Sequence, residues 1–418
     1  MTTYGTTRDS EQLRYLDVDI ASFINRYQSR PPGTKRRTLF LFPGGMGSQL
    51  LRARTPYFAG APQPQTFQYD TVWLTPMTFL GDGLTLKMHE VNGVYHDLAN
   101  RIIIPYGAVG LLGVTPYTRF AAWCELNDID WFIFGWDWRR RLEETVDFFL
   151  NQFIPFFQSR TQQPCPDALK DIVLIGHSFG GMVVSLILQG NNAIISNNMT
   201  RAVTVASPFY GYDGQIHRWF EGEPLLNHIG PFDVTKQVIE VITSLPGVYV
   251  LPYLDVQTFQ TNGAALCNDP QFPLNGYPSN DFVNGTLQVD PFNPGANRYP
   301  QNVGFNTTVL QYALQTYRRI ASGPPAPYVG RFFNIRGIQS PPETTHGSLS
   351  WGLLAGPNNP ATSPIGNGPG VPGDGTLPAW STRLVTLPNN QIVSVVGNVD
   401  HMFMMEDNLT HQALALVL

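Results

Sequence analysis

DIVLIGHSFGGMVVSLILQG, residues Asp171 to Gly190, is the stretch whose residue order dictates a piece of chemistry. Ile172 to Ile175 are four consecutive apolar residues, the signal of a short buried strand. Gly176-His177-Ser178-Phe179-Gly180 follows and fits G-x-S-x-G, in which a serine sits on a strained strand-to-helix turn with its hydroxyl atop a parallel sheet. Glycines two before and two after that serine avoid collisions with the neighbouring strand and helix as the chain doubles back. Met182 to Leu188 is then an apolar run long enough for a buried helix, whose N-terminus presents free N–H groups and a positive dipole end to the serine. So short a pattern also arises by chance, and its weight comes from strand, elbow and helix occurring together.

Working outward, Thr38 to Phe42 (TLFLF) reads as the first buried strand, and it runs into Pro43-Gly44-Gly45-Met46-Gly47-Ser48. An α/β-hydrolase supplies its second oxyanion-hole N–H from such a glycine-rich turn; the competing reading is an ordinary strand-to-loop turn. Tyr117 to Asp128 has helical spacing, Trp131 to Phe134 reads as a strand, and Glu143 to Arg160 as an amphipathic helix. Between the last two, Gly135-Trp136-Asp137-Trp138-Arg139-Arg140 places an aspartate beside arginines, which favours a structural salt bridge over a substrate role. Further strands are expected at Arg201 to Ser207, Tyr328 to Arg336 and Gln391 to Val396, and a closing helix over Met405 to Leu418.

These readings predict an α/β fold with a mostly parallel central sheet, helices on both faces and an inserted cap. The core is residues 38–208 and 328–418, with a lid-like, aromatic-rich excursion over 50–105 near the site mouth. Residues 1–37 are a polar lead-in with one short helix. Residues 209–327 run more than a hundred positions without a strand of the main sheet, too long for a plain connection, and read as a cap with helical stretches at Val234 to Leu245 and Val309 to Ile320.

A serine hydroxyl needs a histidine to take its proton and a carboxylate to orient that histidine, in the chain order Ser, acid, His. Only His217, His228, His346, His401 and His411 follow Ser178. His401 lies just past the last strand and before the last helix, where the base belongs; His217 and His228 fall in the cap and His411 inside the final helix. His346 precedes the strongest acid candidate, Asp374, which stands in the turn Gly373-Asp374-Gly375. Asp400 adjoins His401 and points away from it, while an Asp-Gly turn at Asp374 is also common without function. His177, beside the serine, is expected to be packed rather than to act as base.

Composition narrows the classes. A formal charge of −5 with 14% charged residues gives no field for nucleic acid, and 12% aromatic residues must fill a core or a greasy cleft. Three cysteines allow one bridge at most. No C-x-x-C or H-E-x-x-H spacing occurs, so neither metal nor cofactor is expected. No signal-type apolar region or 18-residue apolar run is found, which predicts a soluble protein, cytoplasmic or secreted with its signal removed.

PGGMGSQL, GWDWRR, GHSFGG and GDGTLP followed by a late Asp-His occur in one order that resembles the lecithin:cholesterol acyltransferase family of α/β-hydrolases, with its lysosomal phospholipase and plant phospholipid:diacylglycerol acyltransferase members. The resemblance runs from about Leu39 to the C-terminus. It implies Ser178 as nucleophile, Asp374 as acid, His401 as base, and the backbone N–H groups of Gly45 and Phe179 as oxyanion donors. Trp136 stands where the family has tyrosine before the aspartate, and the lid segment lacks the cysteines that close it in the animal enzymes. The expected function is a serine esterase or lipase acting on an acyl ester, a lipid or another apolar ester, with transient contact to a membrane or lipid surface. An acyltransferase passing the acyl group to an alcohol, and a non-catalytic binding protein on the same fold, are the rival readings.

Overall fold

A computed structural model describes residues 4–31, 36–58, 66–73, 83–91, 94–110, 115–190, 192–212, 214–215, 218–219, 222–223, 228–229, 232–252, 255–272, 282–283, 286–287, 306–340, 349–350, 366–367 and 371–418. The chain divides into two compact units: residues 1–205 with 324–333 and 405–418, and residues 206–323 with 334–404.

The first unit opens with α1, Tyr4–Ser29, where a short helix was expected within a polar lead-in. Its buried positions are Tyr4, Arg8, Gln12, Leu16, Ile20, Phe23 and Tyr27, spaced by three or four residues as one helical face requires. Two of the seven are polar, which hides the period in the sequence. Strand β1 is Thr38–Phe42, buried at every position. The excursion that follows is an antiparallel sheet: β2, Ser48–Ala53, pairs with β3, Tyr69–Trp73, on one side and with a later strand on the other. A hairpin of β4, Met88–Val91, and β5, Val94–Asp97, precedes that strand, β6, Ile103–Ala108. Register shifts near Ser48 and Leu50, and Pro105 within β6, break the alternation that would reveal these strands.

Helix α2, Thr118–Leu126, leads to β7, Asp130–Ile133. The amphipathic helix after it has three parts: α3, Leu142–Phe148, a π-helical turn over Phe149–Phe153, and α4, Ile154–Thr161. Pro155 lies just beyond the π turn and has no N–H to give an α-helical bond, a reason for the ladder to shift there. The wider turn stacks the rings of Phe149 and Phe153 at 5.5 Å, and both lie edge-on to Phe40 of β1. Strand β8, Ile172–His177, is wholly buried, as are the residues of α5, Phe179–Ile187, which follows it; β9 is Met199–Val205. The unit also contains the C-terminal helix Asn408–Val417.

The second unit takes in most of the segment expected as a cap. Helices Thr235–Thr243 and Thr307–Ala321 lie where helical stretches were expected, with a third, Val256–Cys267, between them. Asp255 caps that third helix through Gln257 N and Thr258 N and pairs with Arg318 at 2.7 Å. Strand β10, Phe332–Gln339, continues into this unit from the first and runs parallel to β11, Ile392–Gly397. Asp269, fully buried, pairs with Arg336 at 2.7 Å and Arg383 at 3.0 Å.

The main sheet has six strands in the order β11-β10-β9-β8-β1-β7, so the fold is α/β. β1 pairs in parallel with both β7 and β8, and β8 with β9. The chain moves from β1 outward to β7 and then returns to the other side of β1 as β8. That reversal puts a topological switch point between the carboxyl ends of β1 and β8, where open α/β sheets bind their ligands.

Candidate active site

Ser178 occupies the switch point. It follows β8 directly, with φ 53° and ψ −125°, a conformation that costs a residue carrying a Cβ of order 1–3 kcal/mol. Its N–H extends the β8–β9 ladder by donating to Val205 O at 2.7 Å, and its carbonyl accepts from Gly181 N at 3.0 Å. The flanking glycines are required by contact. A methyl group at Gly180 would lie 2.1 Å from Phe42 O, and one at Gly176 would lie 2.4 Å from Gly181 Cα.

The turn after β1 passes against the same serine. A methyl at Gly44 would come within 3.0 Å of Ser178 Cβ, and one at Gly45 within 3.3 Å of the Phe179 ring. Backbone can therefore approach this serine where a side chain could not. Phe179 opens α5, so its N–H is among those a helix start leaves without an intrahelical acceptor.

Two aromatic residues bind this turn by its backbone. The Gly44 N–H donates to the Tyr117 hydroxyl at 2.9 Å, and that hydroxyl lies 3.1 Å from Nδ1 of His177. Both side chains are buried, and burial pushes the Tyr117 phenol well above its ordinary pKa, keeping it protonated. Trp136 donates its indole N–H to Pro43 O at 2.8 Å and sets its ring 5.2 Å from Phe179. His177 is thus packed and hydrogen-bonded to Tyr117. In the sequence Tyr117 shows only as the start of a helix; no local pattern ties it to a glycine 73 positions earlier.

In the second unit, Asp374 and His401 meet. The Asp374 carboxylate is fully buried; Oδ2 lies 2.8 Å from His401 Nδ1, and Oδ1 accepts from Leu377 N at 2.7 Å and Thr376 N at 3.2 Å. Gly375, at φ 89°, provides the turn. A methyl at Gly337 in β10 would come within 3.0 Å of Asp374 Cβ, so this glycine makes the room the aspartate fills. With Nδ1 tied to the carboxylate, Nε2 is the ring nitrogen turned away from Asp374.

Other candidates have different places. Asp400 accepts from Met402 N at 3.0 Å, a turn contact. His411 bonds Met405 O at 2.9 Å and stacks on Trp123. His228 lies on a two-residue strand, and His217 and His346 lie outside the described residues. Asp137 joins a buried network: Arg139 pairs with Asp137 at 2.7 Å and Asp97 at 2.8 Å, Arg140 reaches both aspartates and Glu144, and the Tyr4 hydroxyl bonds Asp97. All three cysteines are free, and among the described residues no cluster of three or more His, Cys, Asp or Glu is placed to hold a metal ion. No helix among those described is long and apolar enough to cross a membrane.

No protein-family model matches this chain, and no curated protein matches it. Among solved structures 21 chains match. One is from the crystal structure of a Tle4–Tli4 complex, with a TM-score of 0.55 over 91% of this chain and 97% of that one. At 13% identity that likeness carries the fold and no residue roles.

Proposed function

We propose that this chain is a serine hydrolase that cleaves an acyl ester of apolar character, as members of the lecithin:cholesterol acyltransferase family do. The observation that carries the reading is a strained serine at the switch point, Ser178 at φ 53°, in a chain that also pairs the buried Asp374 with a half-buried His401. Backbone strain of this kind is concentrated at active sites and ligand clamps.

In this reading Nε2 of His401 takes the Ser178 proton as Oγ attacks the ester carbonyl. Gly45 and Phe179 N–H groups receive the developing oxyanion, and the Asp374 carboxylate stabilises the imidazolium. The carbonyl carbon's bond to the leaving alcohol oxygen then breaks, His401 returns the proton to that oxygen, and the acyl group stays on Ser178. Water, activated by the same imidazole, releases the acid; an alcohol in its place would make the outcome acyl transfer.

The test is covalent labelling with a fluorophosphonate probe and hydrolysis of p-nitrophenyl esters of graded chain length. Labelling at Ser178, lost in Ser178→Ala together with hydrolysis, is expected. A Ser178→Ala protein that still turns over these esters at the wild-type rate sinks the proposal.

A further inference from the structure

We infer that Tyr117 is a positioning residue, whose hydroxyl fixes the Pro43-Gly44-Gly45 turn against the nucleophile strand. The inference rests on the serine-hydrolase reading above and deepens it. Oxyanion donors act only if held in place before the reaction, yet a Gly-Gly turn has no side chains to hold it and the greatest backbone freedom of any dipeptide. The anchoring must come from elsewhere, and the turn's backbone polar groups show where. Gly44 N–H goes to Tyr117 at 2.9 Å, Pro43 O to the Trp136 indole at 2.8 Å, and Gly44 O accepts from Gly47 N at 2.9 Å.

Of these, the Tyr117 contact joins the turn by hydrogen bonds to His177, the residue before the serine. A phenol oxygen can accept one N–H and donate its own proton at the same time. Accepting from Gly44 and sharing a hydrogen bond with Nδ1 of His177, it links the end of β1 to the end of β8 in one buried chain of hydrogen bonds. Within Pro43-Gly44-Gly45, proline has no N–H and that of Gly44 is spent on Tyr117, which leaves the Gly45 N–H to act as donor. Trp136 braces the opposite side, and its ring touches Phe179, the residue supplying the second donor.

Tyr117→Phe removes the hydroxyl and keeps the ring. Displacing oxyanion donors by a fraction of an ångström lowers turnover rather than binding, so kcat per probe-titrated site should fall roughly 10- to 100-fold with KM changed less than about threefold. Fluorophosphonate labelling should slow in parallel. A merely structural tyrosine would lower Tm and leave kcat per titrated site unchanged, and that result overturns the inference. In the wild-type protein, the Gly44 amide should exchange with deuterium at least about tenfold more slowly than that of Gly45. Equal rates also overturn it, whether or not the variant folds. Failure of wild-type protein to label or turn over would remove the enzyme reading itself, a result distinct from an active Tyr117→Phe.

Discussion

Asp374 and His401 are joined twice, by the carboxylate to Nδ1 at 2.8 Å and by the His401 amide to the Asp374 carbonyl at 2.8 Å. The backbone bond fixes the distance between the two residues, and the side-chain bond fixes the ring. Asp374→Asn should therefore keep the loop folded while placing a neutral group against Nδ1. Ester hydrolysis should fall by about 10³- to 10⁴-fold, by analogy with the same change in serine proteases. A kcat within tenfold of wild type, measured on p-nitrophenyl butyrate, would assign the pair a purely structural role.

The serine's backbone sets a second expectation. Both Ser178→Ala and Ser178→Gly remove the hydroxyl, but only glycine adopts φ 53°, ψ −125° without strain. Ser178→Gly should be the more stable of the two by roughly 1 kcal/mol, after its unfolded-state entropy offsets part of the relief. Chemical denaturation of the two variants side by side measures this, and a more stable alanine variant would show the turn to be relaxed.

Glycine contacts separate positions that look alike in sequence. Gly180→Ala drives a methyl to 2.1 Å from Phe42 O, backbone that cannot swing aside, and should prevent soluble expression or cost several kcal/mol. Gly5→Ala in α1 meets nothing within 4 Å and should be neutral or stabilising by up to about 1 kcal/mol. Thermal melts of both decide the matter.

The buried network should respond to loss of its central acid. Burial pushes the Asp97 carboxyl up, but Arg139 and Arg140 together outweigh it and hold the group below its ordinary pKa. Its stabilising contribution is therefore present above about pH 4, the unfolded value, and is lost as pH falls through the lower folded value. Asp97→Asn leaves two buried arginines short of an anion and should cost about 3 kcal/mol or more at pH 7. Urea midpoints across pH 3 to 7 test both the size and the direction.

Asp19 on α1 has the opposite sign. Burial raises its pKa to about 6 against a weaker opposing bond from the Tyr106 hydroxyl. The native state thus holds this proton more tightly than the unfolded chain, and stability is lost as pH climbs from about 4 to about 6. Asp19→Asn should raise stability at pH 7.5 by at most about 2 kcal/mol, since the side chain is partly solvated, and leave it unchanged at pH 3.5.

The parts legible in sequence are those whose signal is local. Leu39 to Phe42 of β1 and Ile172 to Ile175 of β8 are uninterrupted apolar runs because both faces of a parallel sheet are covered, and the two strands start where expected, at Thr38 and Ile172. Chain order narrows the candidates for the Asp374–His401 pair, and the Gly373-Asp374-Gly375 turn and the place of His401 between the last strand and the last helix single them out. What stayed hidden depends on partners distant in sequence. Arg8 and Gln12 lie buried on α1 and break its apolar stripe, and the register shifts of β2 break its alternation. The role of Tyr117 needs Gly44 and His177 beside it, which only the folded chain provides.

α1 is fastened along its whole length: Tyr4 to Asp97, Asp17 to Arg160, Arg26 to the Trp131 carbonyl, and Phe23 against Phe157 at 5.1 Å. A protein expressed from the first strand onward would bare Phe157, Ile104 and the tyrosines that this helix shelters. Such a product should self-associate and pellet during purification, so affinity tags belong before an intact helix rather than in place of it.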